Sequence, residues 1–342
     1  MILTMRDSLE RLRCYGDVAE NVSMSTLTTL RIGGNARAIV YPKTMLALTQ
    51  VLRLLAKQGI PFKIFGKGSN LLCSDNDYEG VIIKLDRYHD DFYFDGQTVV
   101  AEAGCSIIAL SYEAMKHSLS GLEFASGIPG TVGGAAFMNA GAYKSCMAEV
   151  VSEVFVLREG RCEWLSPAEC GFSYRTSIFQ SHPDWVILAV RFHLTTQDQA
   201  EIRDLMDRRR QRRMESQPLD KPSAGSVFRN PKDRQAWQMI DELGYRGHRV
   251  GGVSVSEKHV NFIVNDQQGK ARDFIELVEE IQDQVRRKYG EELILEVEKE
   301  RFDAATDQAY RQNRKNILVP GFRKGKAPRK VIEGMYGASV FY

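Results

Sequence analysis

Between Gly127 and Gly134 the chain reads G-I-P-G-T-V-G-G, with Gly127, Gly130, Gly133 and Gly134 separated by Ile128, Pro129, Thr131 and Val132. So little side-chain bulk lets the backbone lie against a large flat or phosphorylated ligand and offer it peptide N–H groups. A merely flexible loop would not carry Ile128, Pro129 and Val132, which stiffen it. Asn139 and Gly141 continue the segment. A second glycine-rich stretch, F-G-K-G-S-N-L-L, follows a short apolar run. There Gly66 and Gly68 bracket Lys67, so a tight turn can aim its N–H groups at an anion while Ser69 and Asn70 add side-chain hydrogen bonds. Leu71 occupies the third glycine position of a dinucleotide fingerprint, which excludes that motif.

Around these loops the apolar spacing predicts an α+β chain of short strands and intervening helices. Helices are expected over 45–57, stopping at Gly59, and over 107–117, ending before Gly121. Strands are expected at 62–65, 81–85, 98–103, 150–157 and 186–194. Residues 200–214 turn helical and polar, crowding Arg208, Arg209, Arg210, Arg212 and Arg213, the usual pattern of a solvated helix face. The two prolines of S-Q-P-L-D-K-P-S-A-G suggest a junction, after which Phe274, Val278, Ile281 and Val285 repeat at helical steps.

With 43% hydrophobic and 26% charged residues the chain has the make-up of a globular protein. No apolar run approaches bilayer length and the N-terminus lacks a signal-peptide centre, so a cytoplasmic, non-membrane location is the expectation. The six cysteines show no C-x-x-C spacing, which signals neither a zinc site nor a redox pair. Basic character is concentrated at the end, where residues 299–342 hold ten Lys/Arg against four Asp/Glu.

Together with T-T-L-R-I-G-G-N-A at 28–36, F-S-Y-R-T-S and A-G-S-V-F-R-N-P, the glycine segments resemble the UDP-N-acetylenolpyruvoylglucosamine reductase family over about residues 5–297. The resemblance implies a two-lobed FAD-binding domain of the PCMH, or vanillyl-alcohol-oxidase, type over 1–200, with lobes at about 1–85 and 86–200. It implies a smaller α+β substrate-binding domain over 201–298. The short span between Arg175 and Ser226 resembles the family's second type, which lacks a tyrosine-bearing substrate loop.

The implied activity is NADPH-dependent, FAD-mediated reduction of UDP-N-acetylglucosamine enolpyruvate to UDP-N-acetylmuramate for peptidoglycan synthesis. The resemblance makes Gly66, Lys67, Gly68, Ser69, Asn70 and Leu71, with Gly127, Ile128, Pro129, Gly130, Thr131, Gly133, Gly134, Asn139 and Gly141, the cofactor-binding set. Arg175 matches the arginine that stabilises the developing enolate, a task suited to a fixed guanidinium. Ser226 matches the proton donor. Glu296, in L-I-L-E-V, matches the third catalytic residue, with Glu298 as the register alternative. Tyr174 and Asn230 fall at substrate positions, and Lys221 or Arg213 could replace a family lysine whose place Ser216 takes. His259 is expected to be structural, because that mechanism needs no imidazole.

Beyond about Val297 the sequence instead resembles part of the ribosome-binding domain of trigger factor, with the docking loop G-F-R-K-G-K-A-P at Gly321–Pro328. Residues 311–330 hold eight basic and no acidic residues, which suits contact with RNA phosphates. Two alternatives to the reductase remain at this point: a flavin carbohydrate oxidase, and a ribosome-docking fusion whose reductase portion is inert. A monomer is expected.

Overall fold

A computed structural model describes residues 5–297, which sort into two compact units. The first comprises residues up to 22, 36–69 and 78–219; the second comprises 23–35, 70–77 and the described chain from 220 onward.

In the first unit, helix α1 (Met5–Arg13) leads to strands β1 (Gly16–Ser23) and β2 (Asn35–Pro42), helix α2 (Met45–Gln58), and strands β3 (Phe62–Phe65) and β4 (Tyr78–Lys84). The sheet order is β1-β2-β4-β3, and β4 runs parallel to both β2 and β3. The boundaries of α2 follow from its sequence. Thr44 Oγ1 accepts from the Ala47 N–H at 3.1 Å, and Gly59 closes the helix at φ +65°, a conformation that costs glycine nothing.

Strands β5 (Phe92–Asp95) and β6 (Thr98–Glu102) and helix α3 (Ile107–Lys116) come next, followed by β7 (Leu119–Ser120), helix α4 (Val132–Phe137), β8 (Gly141–Ala142) and β9 (Ser145–Cys146). Strands β10 (Val151–Arg158), β11 (Arg161–Leu165), β12 (Val186–His193) and β13 (Thr195–Thr196) and helix α5 (Gln199–Ser216) complete the unit. An antiparallel sheet of order β11-β10-β12-β6-β5 forms there, with short ribbons pairing β7 with β13 and β8 with β9. The domain boundary expected at 200/201 falls inside the first unit. Ile202 and Met206 of α5 are buried with Met115 of α3, and the Tyr143 hydroxyl donates to the Arg209 carbonyl at 2.8 Å. Burial of those apolar groups holds the arginine-rich helix to the body.

The second unit contains helix α6 (Ala236–Glu242), strands β14 (Arg249–Val250), β15 (Val253–Val255) and β16 (Ile263–Asn265) in one antiparallel sheet, and helix α7 (Ala271–Tyr289). Phe274, Val278, Ile281 and Val285 of α7 are each 2% exposed or less. We expect Phe274→Ala to cost about 3–5 kcal/mol. A lowered urea midpoint at unchanged slope is the measurement that checks it.

Segments 23–35 and 70–77 join this unit through specific bonds. Thr29 Oγ1 donates to the Ser223 carbonyl at 2.6 Å, Asn265 Nδ2 donates to the Leu30 carbonyl at 3.0 Å, and the Asp75 carboxylate accepts from Ala271 and Arg272 N–H at the start of α7. Among the described residues no helix is long and apolar enough to cross a membrane.

Candidate functional site

Strand β3 ends with Phe65 paired to Lys84 of β4 and releases the chain into the first glycine-rich loop. Gly68 stands at φ +65°, which only glycine holds without strain. Within the described chain, the N–H groups of Lys67, Gly68, Ser69 and Asn70 find no hydrogen-bond partner. A Cβ on Gly66 would stand 2.6 Å from Thr131 Oγ1, so this loop touches the second glycine-rich segment within the first unit. The Asn70 side chain turns elsewhere and donates to the Glu296 carbonyl at 3.1 Å, while Leu71 is buried.

In the second segment, several N–H groups are already engaged. Ile128 donates to Ala125, Val132 to Cys105 at 2.8 Å, Gly133 to Ala103 at 2.9 Å, and Gly134 to Thr131 Oγ1 at 3.2 Å. Those of Gly127, Gly130 and Thr131 donate to no atom of the described chain. The glycines divide by what surrounds them. A Cβ at Gly133 would meet Ala103 at 2.8 Å, one at Gly127 the Arg213 side chain at 2.9 Å, and one at Gly141 the Ser145 carbonyl at 2.4 Å. These three permit close packing of the protein on itself. At Gly130, by contrast, a Cβ would meet nothing within 4 Å.

Unpartnered donors from two adjoining loops, beside a glycine that opens onto free space, fit a pyrophosphate-bearing cofactor. We expect Gly130→Leu to weaken FAD binding at least about tenfold by filling that space, while the apoprotein keeps its thermal midpoint. Titration of apoprotein by flavin fluorescence checks the first part and a melting curve the second.

Asn139 was expected at the cofactor, yet both ends of its side chain are occupied by protein. It is 3% exposed; its Nδ2 donates to the Ser173 carbonyl at 2.7 Å and its Oδ1 accepts from the Ala148 N–H at 3.0 Å. The amide ties the glycine-rich segment to the turn that carries Arg175. In that turn Ser173 and Thr176 exchange two backbone hydrogen bonds of 3.0 Å, leaving Tyr174 and Arg175 at the tip. Arg175 sits at φ +56°, a conformation costing a non-glycine residue about 1–3 kcal/mol. Asn139, Tyr143 and Lys144, more than thirty positions earlier in the sequence, also have positive φ. The turn is held by Arg175 Nη2 donating to the Gly141 carbonyl at 2.7 Å and by Gln180 Nε2 donating to the Arg175 carbonyl at 3.1 Å. The guanidinium lies 5.3 Å from the ring centre of Tyr174, itself 56% exposed.

In the second unit, Ser226 and Glu296 lie on adjacent segments. The Glu296 N–H donates to the Val227 carbonyl at 2.8 Å, the Arg229 N–H to Ile294 at 2.9 Å, and Phe228 bridges to Leu295. Asn261 fixes the serine-bearing segment from the other side. Its carbonyl accepts from Val227 N–H at 2.8 Å, and its side-chain amide forms a reciprocal pair with the Phe228 backbone at 3.0 and 2.9 Å. Asn230 Oδ1 accepts from the Ala236 N–H at 3.0 Å, capping α6, and Lys221 pairs with Asp266 at 3.1 Å. Arg213, the other candidate for the missing lysine, lies against Gly127, and burial pushes its guanidinium below its usual pKa. Burial likewise lowers the pKa of His259, whose Nδ1 accepts from the Asn261 N–H at 3.2 Å. Glu298 and the Gly321–Pro328 loop lie outside the described residues.

One pair of charged residues at the first loop escaped the sequence reading. Lys84 Nζ donates to the Gly66 carbonyl at 2.8 Å and lies 3.2 Å from Asp86. The only signal was the lysine that closes the apolar V-I-I run.

The family model for the FAD binding domain matches residues 36–166, and that for the UDP-N-acetylenolpyruvoylglucosamine reductase C-terminal domain matches 217–299. A third, for bacterial trigger factor protein, matches 279–342. UDP-N-acetylenolpyruvoylglucosamine reductase of Bacillus licheniformis is 41% identical over 284 residues, covering 83% of this chain and 94% of its own. The enzyme of the same name from Anoxybacillus flavithermus is 42% identical with the same coverage. The crystal structure of the Thermus caldophilus reductase (MurB) superposes with a TM-score of 0.71 at 33% identity, covering 82% of this chain and 97% of that one. The fold is therefore the α+β, PCMH-type FAD-binding fold with a smaller α+β unit. The chain belongs to the UDP-N-acetylenolpyruvoylglucosamine reductase family.

Proposed function

We propose that this chain is an FAD-dependent oxidoreductase that uses NADPH to reduce UDP-N-acetylglucosamine enolpyruvate to UDP-N-acetylmuramate. The observation that carries the reading is the adjacency of the segments that bear Ser226 and Glu296, seventy residues apart in sequence and joined by the Glu296 N–H to Val227 bond. A carbohydrate oxidase would need a base to take a proton rather than an acid to give one.

FAD, when bound, would supply the hydride-transfer chemistry that links NADPH to the terminal carbon of the enolpyruvyl ether. Lys67, Gly68, Ser69 and Asn70 hold the pyrophosphate by their N–H groups, joined by those of Gly127, Gly130 and Thr131. Ile128 and Pro129 stiffen the second loop, and Gly133, Gly134 and Gly141 allow its close packing. Leu71 and Asn139 serve this seat through protein contacts, as does the Asn70 side chain.

As hydride reaches the terminal carbon, the double-bond electrons move toward the carboxylate. Arg175 binds that carboxylate and stabilises the enolate, held in its strained turn so that little reorganisation is needed. Ser226 gives its hydroxyl proton to the carbon next to the carboxylate, completing the saturated ether. Glu296 acts with Arg175 on the enolate carboxylate, and Tyr174 and Asn230 contact substrate.

The two units correspond in this reading to a flavin domain and a substrate domain, with residues 299–342 a trigger-factor-like appendage. The reaction serves peptidoglycan synthesis, and so cell shape and division, in the cytoplasm. A monomer suffices for it. The test is NADPH oxidation by purified FAD-loaded protein: consumption dependent on the enolpyruvyl substrate, with UDP-N-acetylmuramate as product, supports the reading. Oxygen uptake with a free sugar and no reaction with the enolpyruvyl substrate would refute it.

A further inference from the structure

Lys84 is an unusual residue to find at the end of a buried parallel strand. It is 7% exposed, and moving an ammonium out of water costs several kcal/mol unless close partners offset it. Its Nζ has two such partners, the Gly66 carbonyl at 2.8 Å and Asp86 Oδ2 at 3.2 Å. That same carboxylate oxygen also pairs with Lys67 Nζ at 3.3 Å. Two ammonium groups thus share one carboxylate, leaving one positive charge in excess. Arg87 adds none of the missing negative charge, and its guanidinium is already paired with Asp17 at 2.9 Å.

Peptide geometry makes this cluster informative. The Gly66 carbonyl and the Lys67 N–H belong to one planar trans peptide, so they point in opposite directions. By holding the carbonyl, Lys84 fixes where the Lys67 N–H points, and that N–H finds no partner within the described chain. Rotating the same peptide would turn a carbonyl oxygen toward an anion instead of a donor.

We propose that Lys84 is a positioning residue of the cofactor site: with Lys67 and Asp86 it forms the positively charged base of the FAD pyrophosphate seat and sets the peptide orientation of Gly66–Lys67. The inference rests on the reading of Gly66–Asn70 as that seat. Lys84 acts through Gly66 and through charge; it need not touch the cofactor. Asp86 tempers the charge so that the apoprotein tolerates the buried lysine.

The test is FAD titration of apoprotein, read by flavin fluorescence and paired with an apoprotein melting curve. Lys84→Met removes both the donor and the charge and should raise the FAD dissociation constant about tenfold or more. Asp86→Asn should do the opposite. It leaves the buried ammonium with less compensation, so the apoprotein melts lower, yet FAD binds at least as tightly as in the parent because the seat carries more positive charge. A purely mechanical support would predict weaker binding for both variants. The proposal is overturned if Lys84→Met binds FAD like the parent, or if Asp86→Asn weakens binding as Lys84→Met does. Should Lys84→Met fail to fold, Asp86→Asn decides alone by its sign. Gly130→Leu separates the two layers of the argument: if it weakens FAD binding and Lys84→Met does not, only the role of Lys84 falls. If neither changes the affinity, the seat itself is misassigned.

Discussion

Ser226→Ala is expected to keep FAD bound and to accept reducing equivalents from NADPH at the parental rate, while transfer to the enolpyruvyl substrate slows about 10²–10⁴-fold, the usual contribution of a positioned general acid. That range corresponds to roughly 3–5 kcal/mol of barrier. The loss is chemical rather than structural. The segment is held by backbone groups, Val227 N–H to Asn261 and Glu296 N–H to Val227, and the side-chain hydroxyl takes part in neither. Stopped-flow measurement of the two half-reactions checks the split. A variant that handles the enolpyruvyl substrate at the parental rate would remove Ser226 from the mechanism. Equal slowing of both half-reactions would point to a disturbed flavin site instead.

Arg175→Ala should lower kcat about 10²–10³-fold, or about 3–4 kcal/mol, as expected when a charged donor aimed at a developing oxyanion is removed. FAD affinity should stay at the parental value, since the turn is also held by Gln180 Nε2 on the Arg175 carbonyl and by Asn139 on the Ser173 carbonyl. Arg175→Lys should recover little, because a single ammonium cannot reproduce planar, two-point recognition of a carboxylate. Steady-state kinetics together with FAD titration tests this. Parental kcat in Arg175→Ala would show that the strained turn serves packing alone.

Much of this was legible in the sequence because it depends on local chemistry. Thr44 and Gly59 mark the ends of α2, and the three- and four-residue steps from Phe274 to Val285 mark the buried face of α7. The stiffened glycine run reads in the sequence as a candidate ligand seat because glycine spacing and proline act on the chain's own dihedrals. The proposed roles of Arg175, Ser226 and Glu296 rest on family resemblance alone. Nothing in F-S-Y-R-T-S states that Arg175 takes a left-handed backbone, or that a serine in a turn sits beside a glutamate near Val297.

Other features depend on distant residues coming together. Asn139 belongs to the set that the resemblance makes cofactor-binding, and the fold commits its side-chain amide to Ser173 and Ala148. The T-T-L-R-I-G-G-N-A segment is one of the motifs that carry the family resemblance, and its hydrogen bonds run to Ser223 and Asn265 in the second unit. The arginines of α5 read as a solvated face, and Arg213 is nevertheless turned in against Gly127.

By itself, then, the sequence determined the ends of α2 and α3, which faces are apolar, and where a backbone stripped of side chains can approach a ligand. All of these follow from dihedral preference and hydrophobic period, which act over a few residues. Only the tertiary structure decided which glycines pack on protein and which opens outward, which polar side chains are consumed as braces, and how Lys84 turns the Gly66–Lys67 peptide. Those outcomes depend on hydrogen bonds and contacts between residues far apart in sequence, more than two hundred positions for Asn70 and Glu296, and local preference carries no information about such partners.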